Sequence, residues 1–443
     1  MIKNRSRILI VLALCAFQPL VLQNAEAAES YDRYGAALRT PTTQPGTFQK
    51  TTAHALIYPF ELVRWPIDRG LLAMEKYHIP EKTQWIYEKI QDQGITPEFS
   101  FSPPLSGGGG GADIDLMRLS RQKAAFPDFT LKNWIHYYHE KIFETGARTG
   151  FEQIAGSPLR FFGNFNYENR PEEHFYGLGP DTSAGDGTSY RMEATTLQAE
   201  IGYSPDPSWG ADFKFAYRNV NITNGEDGGR GIVDDIFRPQ VIPGLGGDEL
   251  LTYALEFMRD TRNQRENSSH GGHARAGVSY NEGLGNSEAR YFKYELDASR
   301  FFELGSERRV LALHAYGEHN SELDDHEVPF HQMAKLGGYG VFPRLSHTLR
   351  GYDDNRFFGE TAALFNAEYR YRIWEYKDWK TDTVFFWDEG QAFRDLSDFQ
   401  LKDFRGSYGI GFRMSLLEHI VVCVELAHSS EGTNFYLKSG APF

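Results

Sequence analysis

Long segments in which apolar and charged residues alternate constrain the fold of this chain more than any other feature. The segments TTLQAEIGY at 195–203, GADFKFAYR at 210–218 and LFNAEYRYRI at 364–373 carry mostly apolar or aromatic side chains at every second position, with mostly polar or charged side chains between them. A period of two indicates a β-strand, because successive side chains point to opposite faces. Each strand therefore presents one apolar and one charged face.

The length of these segments decides which kind of sheet they form. Soluble sandwiches alternate in the same way, but their strands are usually about 5 to 6 residues long. Many of the segments here run to about 9 to 15 residues, which is enough to cross a bilayer at a tilt. After residue 22 no apolar run is long enough for a spanning helix, so any membrane crossing requires a closed barrel. Its apolar face would contact lipid and its charged face would line a polar lumen.

We therefore predict an all-β membrane protein, an antiparallel transmembrane β-barrel of about 16 strands, since bacterial barrels have even strand numbers. Loops rich in Gly, Asp and Ser separate the candidate strands. The candidates are 112–119, 130–140, 145–154, 158–168, 190–204, 208–222, 248–262, 270–281, 287–303, 307–320, 328–337, 361–374, 380–389, 406–416, 419–428 and 433–443.

The first residues of the chain predict export. Three basic residues precede an apolar run at 8–22, and Ala25-Glu26-Ala27 supplies a small-x-small cleavage site. This order is typical of a secretory signal peptide, so we expect residues 1–27 to be removed. A permanent anchor helix is the alternative, but the apolar run is shorter than the ~20 residues that a membrane span needs.

The segment 28–104 lies between the signal peptide and the barrel. Amphipathic stretches at 71–77 and 83–91 predict short helices, which would form a periplasmic preface or a partial plug. The run SPPLSGGGGG at 102–111 predicts a flexible linker, or glycines that ease entry into the first strand. The barrel itself is expected over residues 105–443.

Three short motifs in the last quarter of the chain resemble one family in both content and order. Leu349-Arg350-Gly351-Tyr352 looks like the lid-loop signature of the BamA/TamA-type outer-membrane proteins, also called the bacterial surface antigen family. The segment Phe386-Trp387-Asp388-Glu389-Gly390 is similar to the F-x-D-x-G motif of that family, and Gly409-Ile410-Gly411 is similar to its G-x-G motif. The resemblance covers roughly residues 105–443.

The resemblance implies a 16-stranded barrel whose lid loop folds into the lumen, and a role in outer-membrane protein assembly or polypeptide translocation. Family members usually carry periplasmic POTRA domains, whereas residues 28–104 show no such mixed strand and helix pattern. We therefore expect an accessory or unassigned role within that function. For the lid, we expect Arg350 to reach into the lumen and pair with Asp388, since alternation places Val384, Phe386 and Asp388 on the inward face.

The end of the chain predicts its destination. In NFYLKSGAPF the residues Phe435, Leu437, Ala441 and Phe443 fall on one face, which resembles the C-terminal signal by which outer-membrane barrels are recognised for insertion. Together with the signal peptide, this predicts the outer membrane of a Gram-negative-type cell. The expected partners are outer-membrane lipids, the barrel assembly machinery during insertion, and a polypeptide client.

Two other functions stay open from the sequence. The formal net charge of -14 suits a passive, cation-selective pore, although acidic loops and lumen that serve solubility are the favoured explanation. An outer-membrane phospholipase would need a nucleophile elbow, and the one near match fails because Arg405 stands where glycine is required before Ser407. We expect no enzyme activity, no metal and no cofactor, and the acidic balance argues against nucleic acid.

Overall fold

The fold is seen in a computed structural model of the chain. The chain divides into two compact units, Met1–Phe101 and Ser102–Phe443. Within the described ranges, no helix is long and apolar enough to cross a membrane. The residues described are 95–101, 111–119, 129–138, 142–227, 231–232, 236, 242–324, 326–339, 347–376, 379–416, 419–438, 440 and 442–443.

In the first unit the described residues form a single strand, β1 (Ile95–Phe101), at the end of the segment predicted to be helical. Three other predictions lie outside the described residues. They are the signal peptide at 1–27, the helices within 28–94 and the glycine-rich linker at 102–110.

In the second unit, fourteen antiparallel pairings join fifteen described strands, each to the next along the chain. The predicted large antiparallel barrel is thereby confirmed. The strands are β2 (Gly111–Leu119), β3 (Phe129–Tyr138), β4 (Phe143–Phe151), β5 (Leu159–Phe175), β6 (Thr188–Asp206), β7 (Trp209–Asn224), β9 (Asp248–Asp260), β10 (Gly271–Gly283), β11 (Arg290–Glu303), β12 (Arg309–Glu322), β15 (Thr361–Tyr376), β16 (Trp379–Phe393), β17 (Arg405–Leu416), β18 (His419–Ser429) and β19 (Gly432–Lys438).

Shorter elements complete the second unit. Strand β8 (Gly231–Ile232) pairs in parallel with β6, and β13 (Ala334–Leu336) pairs with β14 (Phe357–Gly359) in a separate two-stranded sheet. The 3-10 turns are Ala184–Asp186, Phe330–Gln332, Leu396–Asp398 and Leu401–Asp403.

The two faces of the barrel strands differ as the alternation predicts. On β16, Phe385 and Trp387 are 51% and 56% exposed. Their outer neighbours in the sequence, Val384 and Asp388, are fully buried. Ion pairs line the inner face, for example Arg160 with Asp212 at 2.6 Å. The barrel is therefore apolar outside and polar inside, which is the arrangement that a lipid-facing barrel requires.

The lumen contains packed protein. The segment between β12 and β15, which includes β13 and β14, contributes Phe330 and Phe358, both fully buried. Their rings pack against Phe175 of β5, each at a centroid distance of 4.9 Å, and Phe330 also packs against Tyr190 of β6 at 5.1 Å. We call residues 326–339 and 347–359 together the inserted segment. It gives the barrel an aromatic core on its inner side.

Two sequence predictions are wrong in detail. The candidate strand at 328–337 is not a barrel strand, because only Ala334–Leu336 is extended and it pairs with β14 inside the second sheet. Near the end of the chain Ile420, Val422, Val424 and Leu426 alternate with other residues, which predicts that Ile420 lies on the outer face of β18. In the structure Ile420 is 3% exposed. The register between β17 and β18 shifts between Met414 and Ser415, and such a bulge moves the residues beyond it to the opposite face.

A matched pair of neighbours on β7 tests which face meets lipid. Phe215 is exposed on the outside, and Lys214 pairs with Glu256 at 3.1 Å on the inside. Phe215→Arg should lower the free energy of unfolding in phospholipid vesicles by about 2 to 4 kcal/mol, because it places a charge against hydrocarbon. Lys214→Arg, the control, keeps its charge and should cost less than about 1 kcal/mol. Equal losses in urea titrations of the two variants would contradict the assignment of faces.

Candidate functional site: the lid lock

The turn that carries the lid motif is held by the last hairpin of the barrel. Gly351 has a φ of +85°, a conformation that favours glycine. Its N–H donates to the Tyr436 hydroxyl at 2.9 Å, and its carbonyl accepts from the Ser429 hydroxyl at 2.6 Å. A Cβ at Gly351 would lie 3.1 Å from the Ser429 Cβ. The turn therefore needs glycine for its conformation and for its close approach to β18.

The turn directs Arg350 toward β16. Its Nε donates to Asp388 Oδ2 at 2.7 Å and its Nη2 donates to Oδ1 at 2.6 Å, which makes a bidentate pair. The backbone N–H of Arg350 donates to the same carboxylate at 3.2 Å. Both side chains are fully buried. The structure thus makes the pairing that the two motifs suggested.

Two further carboxylates surround the same guanidinium. Arg350 Nη1 donates to Glu368 Oε1 of β15 at 2.8 Å and to Glu425 Oε2 of β18 at 3.0 Å. Arg413 of β17 bridges these two glutamates at 2.6 Å each. Arg370 of β15 adds a third cation, 2.8 Å from Glu368. Three arginines and three carboxylates, all buried, therefore balance in formal charge, and we call this cluster the lid lock.

The neighbouring carboxylates keep Arg350 charged. Burial lowers the pKa of Arg350, but the Asp388 and Glu425 carboxylates oppose that effect and hold it well above its ordinary value. Arg350 therefore stays a cation over the whole physiological pH range. Buried charges of this kind are tolerated only when they are paired and hydrogen bonded.

The remaining motif residues make room for the lock. The guanidinium of Arg350 lies 3.6 Å from the centre of the Phe386 ring. A Cβ at Gly409 would approach that ring to 2.2 Å, and a Cβ at Gly411 would approach Glu425 Cγ to 2.5 Å. The two glycines of β17 thus leave the space that Phe386 and Glu425 occupy. Gly390 similarly permits close passage of the Ala363 carbonyl, at 2.9 Å from its ideal Cβ.

Apolar and polar contacts fix the two ends of the lid motif. Leu349 is fully buried in a cluster with Tyr316 and Leu336. The Tyr352 hydroxyl donates to the Gly406 carbonyl at 3.1 Å. All four residues of the motif therefore lie inside the barrel.

The part of the lid that follows the motif contacts the loop after β5 and the turn between β18 and β19. Arg356 pairs with Glu431 at 2.8 Å and donates to the Thr182 carbonyl at 2.7 Å. The Tyr176 hydroxyl donates to Asp353 at 2.8 Å. The lid is thus attached both to the last hairpin and to the loop after β5.

Four members of the lock were not singled out from the sequence: Glu368, Arg370, Arg413 and Glu425. Glu368, Arg413 and Glu425 lie on inner faces of their strands, and the alternation in LFNAEYRYRI and HIVVCVEL does place Glu368 and Glu425 on a charged face. The alternation does not contain the register between strands, which brings these residues close to one another on the inner face.

Phe435 and Phe443 do not share one face, and Ala441 lies outside the described residues. Phe435 of β19 is 45% exposed on the outer side and Leu437 is half-buried. Strand β19 ends at Lys438, and Gly440 has a φ of +86°. Phe443 then stacks on His314 at 4.9 Å and packs against the inner-face residue Phe301. The expectation that Phe443 shares a face with Phe435 is therefore wrong, whereas the role of these residues as an insertion signal stays a prediction.

The lid lock can be tested by a double-mutant cycle on Arg350→Ala and Asp388→Ala. Each single change leaves buried charges unpaired and should cost about 3 to 5 kcal/mol of unfolding free energy. The double variant should cost clearly less than the sum of the two. Arg350→Lys should restore only part of the loss, because an ammonium cannot make the bidentate contact. Additive effects in urea unfolding would mean that the two side chains do not interact.

The space beside Phe386 gives a second test. Gly409→Ala should destabilise the barrel by about 1 to 3 kcal/mol, because the added methyl overlaps both the Leu426 carbonyl oxygen and the Phe386 ring. Gly317→Ala on β12 is the matched control, since the nearest atom to its ideal Cβ is 3.9 Å away. Phe386→Leu introduced with Gly409→Ala should recover part of the loss. Equal stability of the two glycine variants would show that β17 is not packed as described.

Comparison with known proteins shows which family and which solved structures this chain is similar to. Residues 144–416 match the Omp85 superfamily domain. The fold is similar to that of BamA from Haemophilus ducreyi lacking POTRA domains 1-3, with a TM-score of 0.55 at 13% identity, covering 81% of this chain and 78% of that one. It is also similar to CdiB from Escherichia coli, with a TM-score of 0.50 at 11% identity, covering 78% and 67%.

No curated protein sequence matches the chain. The two structural similarities, at such low identity, concern the fold alone, whereas the family match spans more than half of the chain. The resemblance to BamA/TamA-type proteins that the motifs indicated is confirmed at the level of the family: the chain belongs to the Omp85 superfamily.

Proposed function

We propose that the protein is an outer-membrane barrel with an accessory role in outer-membrane protein assembly or polypeptide translocation. The observation that carries this proposal is the lid lock, in which Arg350 of the inserted segment is paired with Asp388, Glu368 and Glu425 of three barrel strands. A barrel whose lumen is closed by a locked segment is suited to passing cargo only when the segment moves.

Partners follow from the same proposal. The exposed apolar side chains of the barrel strands would contact outer-membrane lipids, and the barrel assembly machinery would insert the chain. A polypeptide client would enter through the lumen or along the wall once the inserted segment is displaced. BamA and CdiB, the two proteins of similar fold, are large barrels too, and the Omp85 membership favours a polypeptide over a small solute.

A passive pore is the weaker candidate. An open channel needs a continuous water-filled lumen, whereas here Phe330, Phe358 and Tyr352 are buried in contact with the inner wall. The acidic side chains that would favour cations are already used, since Asp388, Glu368 and Glu425 are paired with arginines. These contacts favour a gated barrel.

Ion conductance in planar bilayers distinguishes the two functions. The native barrel should be closed for most of the recording, and Arg350→Ala should increase the open fraction, because it releases the lid. Lys214→Met, on the inner face but outside the lock, is the control and should leave the closed state unchanged. Steady open channels in the native protein, unaffected by Arg350→Ala, would support the passive pore.

The client itself can be trapped from living cells. A photo-crosslinking residue at inner-face position 214 should capture nascent polypeptides, whereas the same residue at outer-face position 215 should label mainly lipid and neighbouring barrels. The two positions are adjacent in the chain and point to opposite sides, so the pair compares the two faces of one strand at one position along it. Identical adducts from both positions, or none from 214 in a barrel that opens, would refute transport of polypeptides through the lumen.

A further inference from the structure

A groove of about 760 Å³ lies on the outer face of the barrel and crosses the wall from β9 through β12 to β15 and β16. Alanines at directly paired positions form its floor, since Ala274 pairs with Ala298 and Ala298 pairs with Ala315. Its sides are larger side chains that are 40 to 56% exposed, Leu313, Phe365 and Trp387. The lipid-facing wall is therefore hollow along the alanines and raised around them.

The connections between strands distinguish the two ends of the barrel. Those after β6, β15 and β17 are two residues long, whereas those after β5, β7, β12 and β16, at the opposite end, have eleven residues or more. In bacterial outer-membrane barrels the short turns face the periplasm and the long loops face outward. The end of β9 and the start of β16 therefore both lie at the periplasmic side.

The groove rises from the periplasmic rim of the barrel deep into the membrane. At one end Arg259 is one residue from Asp260, where β9 ends. At the other end Glu389 is ten residues beyond Trp379, where β16 begins. A line across the paired positions climbs in this way because the strands of such barrels are tilted by about 35 to 45°.

Two arginines mark the periplasmic end of the groove. Arg259 and Arg300 both line it, and both are exposed at lipid-facing positions near the ends of their strands. Among the residues that the structure describes, neither guanidinium forms an ion pair, and that of Arg300 lies 5.7 Å from the centre of the Phe302 ring. A guanidinium presents parallel N–H donors that match a phosphate group. The rim thus offers two such groups at the level of the lipid head groups.

The carboxylates near this rim leave the arginines available. Several already have basic neighbours, since Asp260 is bonded to Arg262 at 2.7 Å, Glu303 is bonded to His270 at 2.9 Å, and Glu307 precedes Arg308. Asp206 offsets part of the charge of Arg259, but it is exposed and accepts from the Ser208 N–H at 2.7 Å. Glu389 lies at the far end of the groove. The positive charge of Arg300 is therefore the less compensated of the two.

We propose that this groove binds an anionic phospholipid of the periplasmic leaflet, with its phosphate at Arg259 and Arg300 and one acyl chain along the alanine floor. Positive charge at the rim and an apolar surface above it follow the order of phosphate and chain in such a lipid. A glycolipid of the opposite leaflet would bring its phosphates to the end where Glu389 adds negative charge. The inference requires only that the barrel spans the membrane and does not depend on the proposed function.

Quenching of tryptophan fluorescence by lipids with brominated acyl chains tests the site. Trp387 lines the groove, and the difference between native protein and Trp387→Phe isolates its emission. In detergent micelles, brominated phosphatidylglycerol should quench this emission at a concentration about three- to ten-fold lower than brominated phosphatidylcholine, because arginines near the membrane surface attract anionic head groups. Trp374 is 48% exposed and does not line the groove. Its emission, isolated with Trp374→Phe, should show no such preference.

Three variants separate the head-group site from the groove. Arg259→Gln combined with Arg300→Gln should abolish the preference for phosphatidylglycerol. Arg309→Gln is the matched control, because that arginine is exposed at the same end of the barrel, 5.9 Å from the Tyr371 ring, and does not line the groove. Ala298→Phe fills the floor and keeps both arginines, so it should also abolish the preference. The heat-dependent gel mobility of each variant reports whether the barrel is folded.

Loss of the preference in the arginine double variant and in Ala298→Phe, with Arg309→Gln unchanged, supports the proposal. Equal quenching of Trp387 by the two lipids in native protein would overturn the anionic head group. A preference that survives Ala298→Phe would show that the arginines attract lipid without the groove, and would overturn the site. A native dimer that dissociates in Ala298→Phe would assign the groove to a second copy instead. If Ala298→Phe does not fold, Ala298→Leu decides in the same way.

Discussion

The interior of this barrel depends on one electrostatic condition, the burial of Arg350 among carboxylates from separate strands. An arginine on a loop can be buried inside the barrel only if hydrogen-bond acceptors are positioned around its guanidinium. Strands β15, β16 and β18 each supply one, at 2.6 to 3.0 Å. Once the guanidinium is in place, the three carboxylates no longer repel one another. The loop and the wall therefore stabilise each other, and neither arrangement is expected without the other.

This mutual dependence explains why the motifs are spread over two strands and a loop. Gly351 shapes the turn, Phe386 covers the guanidinium, and Gly409 leaves the space for Phe386. Each residue looks ordinary alone, and a tripeptide such as Arg-Gly-Tyr occurs in many proteins. Their meaning comes from the antiparallel register, which places Phe386 opposite Gly409 and Gly411 opposite Glu425.

The strands of the barrel were predictable from sequence, because the face on which a side chain lies follows from the local alternation of residues. The alternation on β16 correctly assigns Phe385 and Trp387 to the outside and Asp388 to the inside. The contents of the lumen were not predictable in the same way, because Phe330 meets Phe175 across 155 residues of sequence. The faces on which Ile420 and Phe443 lie were also not predictable from the local pattern. A bulge reverses the face of the first, and a turn after β19 redirects the second, and neither changes the local apolar pattern.

The attachment of the lid to the last hairpin sets an order for assembly. Gly351 bonds to Ser429 and Tyr436, Arg356 to Glu431, and the Tyr352 carbonyl to Asn434. Strands β18 and β19 lie about 70 to 85 positions after the lid, so these bonds close long loops and form late. Until that hairpin has folded, the lid lacks its contacts to β18 and β19, and Arg350 lacks the Glu425 carboxylate. A barrel caught before its final hairpin would hold its lid loose, so closure of the wall and closure of the lumen become a single event.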